Sequence, residues 1–510
     1  MSQDKLAADS APTTSTTTAT AAPSLLRSKI FWISLLYFSE GFPLGIFYDL
    51  FPVYFRQQGV ELGKIGLLSL LGLCWTLKFI WAPLIDHTRR HRYWMAGVDI
   101  GMGLVMMVFA SQAGFGPWVW LAIGVFTALS ATNDIAIDGY TIELLDKREM
   151  GLANGIRIGF YRVGMLAAGV LLACTDYIGW TGTYILAGGL FIALAACTLF
   201  APAEGARLAA QSDGSLKQEL NSLLQQPLLI AALLLFFSAL MWPLFTAMEF
   251  AWVQAYKTSW WYKGGVPITF LFISTLLFRL GLSQQTGSQA QAAATGPMFG
   301  AVIELLKKPH ASLLIIFILI FKLADSSIGF MIKPFWVDSG FSNSQIGLVS
   351  VNIGLGLSIA GGIAGGWYTD RVGIFKALWV LGLFQIISNL GYVIAATYVP
   401  PVAQGMPIAS SHQILMYSAS AIESFTGGLG TAAFMAFLMA IVDKRRATTE
   451  YAILSSIFAF SRSIAGWAGG LGAQHMGYAD YFALTFILGF PAYILLPWIK
   501  NILIEAEKKS

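Results

Sequence analysis

Apolar stretches recur along almost the whole chain, from Ile30 to Ile499. They fall near residues 30–55, 65–85, 95–112, 117–143, 155–175 and 182–201, then near 228–255 and 266–282, and again near 310–336, 346–368, 375–398, 412–441, 450–472 and 479–499. A helix of ~20 apolar residues crosses the hydrocarbon of a bilayer. Backbone polar groups find no water there, so a crossing segment must be a helix or part of a closed barrel. Barrel strands alternate apolar and polar residues over about ten positions, whereas these runs are longer and continuous. The pattern predicts an all-α polytopic membrane protein of about 14 helices. Two segments depart from it most: 228–255 contains Trp242, Pro243 and Glu249, and 266–282 is short.

The polar intervals orient the helices. With a cytoplasmic N-terminus, the inner loops hold Arg27, Lys29, Arg89, Arg90, Arg92, Lys147, Arg148, Arg207, Lys217, Lys307, Lys308, Arg371, Lys376, Lys444, Arg445, Arg446, Lys508 and Lys509. The outer loops hold only Arg56, Lys64, Lys257 and Lys263. Such a bias places both termini inside. Residues 1–27 form a Thr/Ala/Ser tract without an apolar core, expected to be a disordered cytoplasmic tail.

A weak repeat divides the chain. Ile65-Gly66-Leu67-Leu68-Ser69 recurs as Ile346-Gly347-Leu348-Val349-Ser350, Asp86 as Asp370, Asp146-Lys147-Arg148 as Asp443-Lys444-Arg445, and Phe160-Tyr161-Arg162 as Phe460-Ser461-Arg462. Two six-helix halves in parallel repeat are the plan of the major facilitator fold, whose substrate site lies at the midplane between them. The expected organisation is an N-terminal half at 28–201, a linker with an inserted hydrophobic hairpin at 202–309, a C-terminal half at 310–500 and a short tail at 501–510.

Composition supports a membrane protein. Hydrophobic residues make up 56% of the chain and charged residues only 11%; soluble domains average about 25% charged. The net charge of +4 is spread over short loops and offers no surface for nucleic acid. Cys74, Cys174 and Cys197 lie in apolar runs, and the five histidines show no metal-binding spacing. A membrane-embedded enzyme would need a nucleophile motif or a metal cluster, and neither is present.

Charges inside membrane helices are costly and mark candidate function. The acids are Glu40, Asp49, Asp134, Asp138, Asp325 and Glu423; the bases are Lys78, Arg157, Arg162, Lys322, Lys333 and Arg462. Opposite signs in one bundle predict internal pairing. Asp134 and Asp138 share a helix face, and mutual repulsion favours a proton on one of them, as a proton-coupled carrier requires. Alternatively, Asp138 or Glu143 pairs with Arg157 or Arg162 and holds two spans together. Lys322 and Asp325, three residues apart, are expected to neutralise each other. Ser39-Glu40-Gly41-Phe42-Pro43-Leu44-Gly45 predicts a kinked or unwound first helix. Asp86, Arg89 and Arg90 after the second span, with Asp370 and Arg371 at the matching place, are candidate gating residues. Trp32, Tyr37, Trp75, Trp81, Trp118, Trp120, Trp336 and Trp367 read mostly as membrane-interface belts.

Several of these stretches together resemble the AmpG-type muropeptide permeases. They are Gly41-Phe42-Pro43-Leu44, Ile65 to Leu70, Leu77 to Asp86, Ala131 to Asp138, Tyr161 to Leu166, Lys322 to Asp325 and Glu423 to Phe434. The resemblance covers about 30–201 and 310–500. It implies a proton-driven carrier, with no cofactor beyond the proton gradient, importing anionic anhydromuropeptides across the bacterial inner membrane. The expected unit is a monomer in the lipid bilayer. Lys78, Arg157 and Arg162 would meet substrate carboxylates, and Asn133, Ser326 and Asn352 its sugar hydroxyls. Glu40, Asp134, Asp138, Lys322, Asp325, Glu423 and Arg462 complete the expected binding and coupling set. The family does not carry a hairpin between the halves, and this chain has Asn133 where the family often has Gln. The Leu77–Asp86 stretch and Asp138-Gly139 are also similar to the acetyl-CoA transporter family, so acetyl-CoA or another anionic metabolite is the alternative cargo.

Overall fold

A computed structural model describes residues 28–78, 81–88, 90–111, 117–144, 150–202, 227–247, 261–283, 310–442 and 447–509. Among the described residues every regular element is helical. The N-terminal half comprises α1 (Lys29–Gln57), α2 (Leu62–Leu77, resuming as Ala82–Thr88), α3 (His91–Ser111), α4 (Pro117–Leu144), α5 (150–178) and α6 (180–199). The hairpin is α7 (Pro227–Ala247) and α8 (Val266–Ser283). The C-terminal half comprises α9 (Ala311–Asp338), α10 (Asn343–Val372), α11 (Ile374–Tyr398), α12 (Ser410–Ala440), α13 (Ala447–Met476) and α14 (Tyr478–Glu505). This is the expected all-α major facilitator fold, two six-helix halves with an inserted hairpin. The tail 1–27, Arg89, Lys147, Arg148 and Lys444 to Arg446 lie outside the described residues.

Local chemistry explains the breaks. Gly179 has φ 68°, a left-handed conformation that glycine adopts without strain, and it turns α5 into α6. Pro43 lies within α1, but the helix does not unwind there as its sequence suggests. A π-helical turn at Ile46–Leu50 follows instead. A second opens α10 at Ile346–Ile353. Such wide turns expose backbone and redirect side chains, which is why they collect at functional places. These two carry Asp49 and Ser350.

Packing differs between the two ends of the bundle. At the end opposite the chain termini, one apolar core runs through both halves, joining Phe47, Phe51 and Phe55 of α1 to Ile328, Phe335 and Trp336 of α9. Towards the termini the core separates. Trp32, Leu36, Ile85 and Ile137 form one cluster in the N-terminal half. Phe317, Phe321, Phe434 and Phe437 form another in the C-terminal half. The halves are therefore zipped at the far end and parted at the termini end.

Two helix pairs make the zipper, α2 with α13 and α5 with α10. The repeated motif supplies a seam residue to each. A Cβ at Gly66 would lie 2.7 Å from the Gly470 Cα, so α2 and α13 touch backbone to backbone. The equivalent Gly347 packs on α5 beside Ala173.

Nine described helical stretches are long and apolar enough to cross a bilayer, and one, Gly155–Leu199, covers both α5 and α6. α2 and α13 are not among them. α2 falls short in length alone, its Leu62–Leu77 stretch being one of the shorter apolar helices. The hairpin is internally bonded: Trp242 Nε1 donates to the Tyr262 carbonyl at 2.7 Å, and Ser274 Oγ to the Ala232 carbonyl at 2.7 Å. It rests against the α2–α13 seam, where Phe236 stacks on Phe460 and Leu244 enters the shared core. The belt reading fails for Trp32, Tyr37, Trp120 and Trp336, which are buried; Trp118 and Trp367 are exposed. Buried rings fill the large spaces between helices.

Gly66→Leu should force α2 from α13. Overpacking costs about 1–3 kcal/mol, read as a lower Tm in detergent; an unchanged Tm would contradict the close seam.

Candidate functional site

The far end is closed by polar bonds between the halves. Arg56 Nε at the end of α1 lies 2.7 Å from Asp338 Oδ1 at the end of α9. Tyr478 Oη donates to Asp338 Oδ2 at 2.8 Å. Gln57 donates to Asn343 Oδ1 at 2.7 Å and accepts from Trp180 Nε1 at 2.8 Å. Asp176 accepts from the backbone N–H groups of Asn343 and Ser344 at 3.2 and 2.6 Å, and Gly63 N–H donates to Gln474 at 2.8 Å. Deeper, Ser69 Oγ donates to the Ser463 carbonyl at 2.6 Å. Apart from the Ser69–Ser463 pair, these residues stand at or near helix ends, where unpaired backbone groups are available.

Below this seal lies a cavity of about 430 Å3 between the halves, within the roughly 300–1,000 Å3 range of small-molecule sites. Its charged lining is Asp49 and Arg162 from the N-terminal half and Lys322, Asp325, Lys333, Glu423 and Arg462 from the C-terminal half. Lys322 Nζ lies 2.9 Å from Asp325 Oδ2 and donates to Thr431 Oγ1 at 3.0 Å. Its side chain is 1% exposed, so the pairing expected from the i,i+3 spacing is present and deeply placed. Lys333 donates to Ser350 Oγ at 2.7 Å and reaches Asp49 of the other half at 3.5 Å. Glu423 accepts from Ser424 Oγ at 3.3 Å. Arg462 lies over the Tyr48 ring at 4.2 Å, again crossing between halves.

A second charged group sits within the N-terminal half, closer to the termini. Lys78 Nζ on α2 is 3.4 Å from Asp134 Oδ2 on α4. Asp138, one turn on, meets Arg157 of α5 at 3.2 Å and accepts from Tyr37 Oη at 3.0 Å. The structural alternative for Asp138, tying α4 to α5, is thus the arrangement observed. Glu40 is 6% exposed and feels the charges of Asp134, Asp138, Arg157 and Lys78. Behind them lies a carboxylate that the sequence reading passed over. Asp99 of α3, 1% exposed, accepts from Ser39 Oγ at 3.1 Å and from Asn133 Nδ2 at 3.0 Å. Its donors are the chain neighbours of Glu40 and Asp134, so it fixes both helices that carry them. An acid in the middle of an apolar run was the available signal.

The expected site residues therefore form two clusters instead of one chamber. Arg162, Lys322, Asp325, Glu423 and Arg462 line the cavity; Glu40, Lys78, Asp134, Asp138 and Arg157 do not. Of the expected hydroxyl-binding residues, Ser326 lines the cavity. Asn133 is taken up by Ser39 and Asp99, and Asn352 packs against Gly169 in the α5–α10 seam. Close packing explains both: Asn133 is buried, and the Asn352 Oδ1 is enclosed in the seam. At the termini end, Asp86 lies in Ala82–Thr88, while Arg90, Asp370 and Arg371 are exposed. Arg371 stacks on Trp367 of its own helix at 4.0 Å. The ion pair that joins the halves at the far end is Arg56–Asp338, between residues not expected from sequence to gate.

A two-half helical bundle with a charged cavity between its halves is the architecture of the major facilitator fold. The profile of the Major Facilitator Superfamily matches residues 73–303. Among solved structures, the nucleoside transporter NupG is similar with a TM-score of 0.58 and 13% identity, over 93% of this chain and 98% of that one. The POT family transporter PepTSo is similar with a TM-score of 0.60 and 10% identity, over 94% and 98%. In sequence the chain is 25% identical over 483 residues to the anhydromuropeptide permease of Escherichia coli K12, covering 92% of this chain and 79% of that one. It is 22% identical over 490 residues to the putative transporter AmpG 4 of Rickettsia conorii, covering 93% and 97%. The chain is a multi-pass transporter of the major facilitator fold, similar along nearly its whole length to AmpG-type permeases.

Two outcomes follow from the pairings. Lys322→Ala, which removes the buried partner of half-buried Asp325, should lower thermal stability more than Lys322→Arg; equal Tm values would contradict the pairing. Arg56→Ala should increase labelling of Ser326→Cys by an impermeant maleimide applied from the far side, in a background lacking the native cysteines. Unchanged labelling would remove Arg56–Asp338 from the seal.

Proposed function

We propose that the protein is a proton-coupled importer of anhydromuropeptides, carrying these anionic glycopeptides across the bacterial inner membrane by alternating access. One observation carries the reading. The central cavity is lined by four basic and three acidic side chains drawn from both halves, in a chain similar over most of its length to an anhydromuropeptide permease. A glycopeptide offers carboxylates for the bases and hydroxyls for Ser326, Ser350, Ser358 and Ser424, which line the same cavity. The polar wall suits a wet, hydrogen-bonding cargo better than an apolar one.

The loop charge bias supports cytoplasmic termini. In that orientation the far-end seal is periplasmic and the parted end faces the cytoplasm, the state from which an imported solute leaves. The proposed organisation keeps two rocking halves, 28–201 and 310–500, with 202–309 holding the hairpin, and the working unit is one chain. Coupling is assigned to the N-terminal cluster. Asp134 is held by Lys78 with Glu40 beside it, so a proton on either carboxyl changes the charge that Lys78 must balance. The lysine then swings or stays, and α2 with it. Since α2 forms the seam with α13, a proton there biases the gate.

Uptake of labelled anhydromuropeptide into proteoliposomes should require an inward proton gradient and exceed uptake of labelled acetyl-CoA. Preference for acetyl-CoA, or uptake against a concentration gradient without a proton gradient, would overturn the reading. Asp134→Asn should abolish uphill uptake while leaving the protein folded. Wild-type accumulation by that variant would exclude Asp134 from coupling.

A further inference from the structure

We propose that Arg162 and Arg462 together form a clamp for one oxyanionic group of the solute, so that a single carboxylate or phosphate is gripped by both halves at once. The inference rests on the central cavity being the solute site, and it goes further by naming the group recognised and the two residues that recognise it.

The repeat first pairs them. Phe160-Tyr161-Arg162 on α5 and Phe460-Ser461-Arg462 on α13 are the same stretch in the two halves. Both guanidinium groups line the one cavity. The repeat thus supplies one arginine from each half to the lining of the same space.

Charge accounting then isolates them. The cavity's acids are already engaged. Asp325 is bound by Lys322 at 2.9 Å and Asp49 by Lys333 at 3.5 Å. Glu423 accepts from Ser424 and lies within the electrostatic reach of both lysines. Among the described residues, neither Arg162 nor Arg462 has a carboxylate within ion-pair distance. The lining holds four bases to three acids, and these two are its cations without an ion pair, Arg462 lying within electrostatic reach of Asp49; unpaired charge at this depth is costly unless it is wet or meets a ligand. Arginine suits this use, because its planar fork matches two oxygens of a carboxylate or phosphate.

The orientation of Arg462 adds a third argument. Its guanidinium carbon lies over the Tyr48 ring of the opposite half, 4.2 Å from the ring centroid. A guanidinium held on a ring by cation–π attraction keeps its N–H donors available for hydrogen bonds to a ligand. The ring also fixes a long side chain that would otherwise lose freedom on binding, so less entropy opposes the grip.

A solute oxyanion held by α5 and α13 ties together the helices that the two seams use. α5 packs on α10 and α13 packs on α2. A ligand that contacts both halves favours the conformation in which the halves are closest, and can shift the equilibrium only by that difference in contact.

The test is equilibrium binding to the full-length protein in lipid nanodiscs, with three labelled ligands: anhydromuropeptide, its carboxyl-amidated form, and acetyl-CoA. Arg162→Gln and Arg462→Gln should each weaken binding of the anionic solute by about 10- to 100-fold, the value of a charge-assisted hydrogen-bonded contact. Arg→Lys at each position should fall between, retaining charge without the fork. Amidated ligand should bind wild type weakly, with no further loss in the variants. Equal losses for the charged and amidated ligands, or no loss for any ligand, would overturn the clamp. A loss seen for acetyl-CoA alone would keep the clamp and sink the glycopeptide reading instead.

Discussion

A charge held at the depth of a bilayer must be paired or kept wet, and this bundle is organised by how its charges meet that demand. The costly groups are gathered into two places. One is the cavity between the halves, where Asp49–Lys333 crosses from one half to the other. The other is the N-terminal cluster of Glu40, Lys78, Asp134, Asp138 and Arg157. Because these pairs are held by different helices, moving a helix changes which charges are satisfied. The apolar exterior can slide in lipid at little cost, so the ion pairs and the polar seal set the preferred arrangement.

The same logic explains why the ends differ. Packing is continuous through both halves at the far end, and Arg56, Asp338 and Tyr478 close over it. Near the termini the core is already two cores. A rocking motion that opened the far end would break Arg56–Asp338 and bring the two termini-end cores together. In that state Asp86, Arg90, Asp370 and Arg371 would approach one another. The exposure of Arg90, Asp370 and Arg371 here and the repeat-related positions of Asp86 and Asp370 fit a seal used in the opposite conformation.

The fold was legible because its signals are long and redundant. Fourteen apolar runs, a loop-charge bias and a repeat spaced by about 280–300 residues each point to the same plan. The site was legible only as a set of candidates. Lys322 and Asp325 sit close in sequence, and their pairing could be read from spacing. Asp49 and Lys333 were visible as buried charges, but their bond crosses halves and depends on how the halves dock. Asn133 and Asn352 look like ligand groups in sequence, yet one serves Asp99 and the other fills a seam. Arg56 looked like an ordinary outer-loop cation. Its partner is 282 residues away, a pairing that no local pattern encodes.

The central claim is that the halves rock about the charged cavity, opening one end as the other closes. Pulsed electron spin distances test it directly, with label pairs at Gln58 and Gln404 for the far end and at Tyr93 and Lys376 for the termini end. With solute and a changed pH, the far-end distance should lengthen in the population whose termini-end distance shortens. Distances at both ends that stay fixed in every condition, or that lengthen together, would contradict alternating access in this protein.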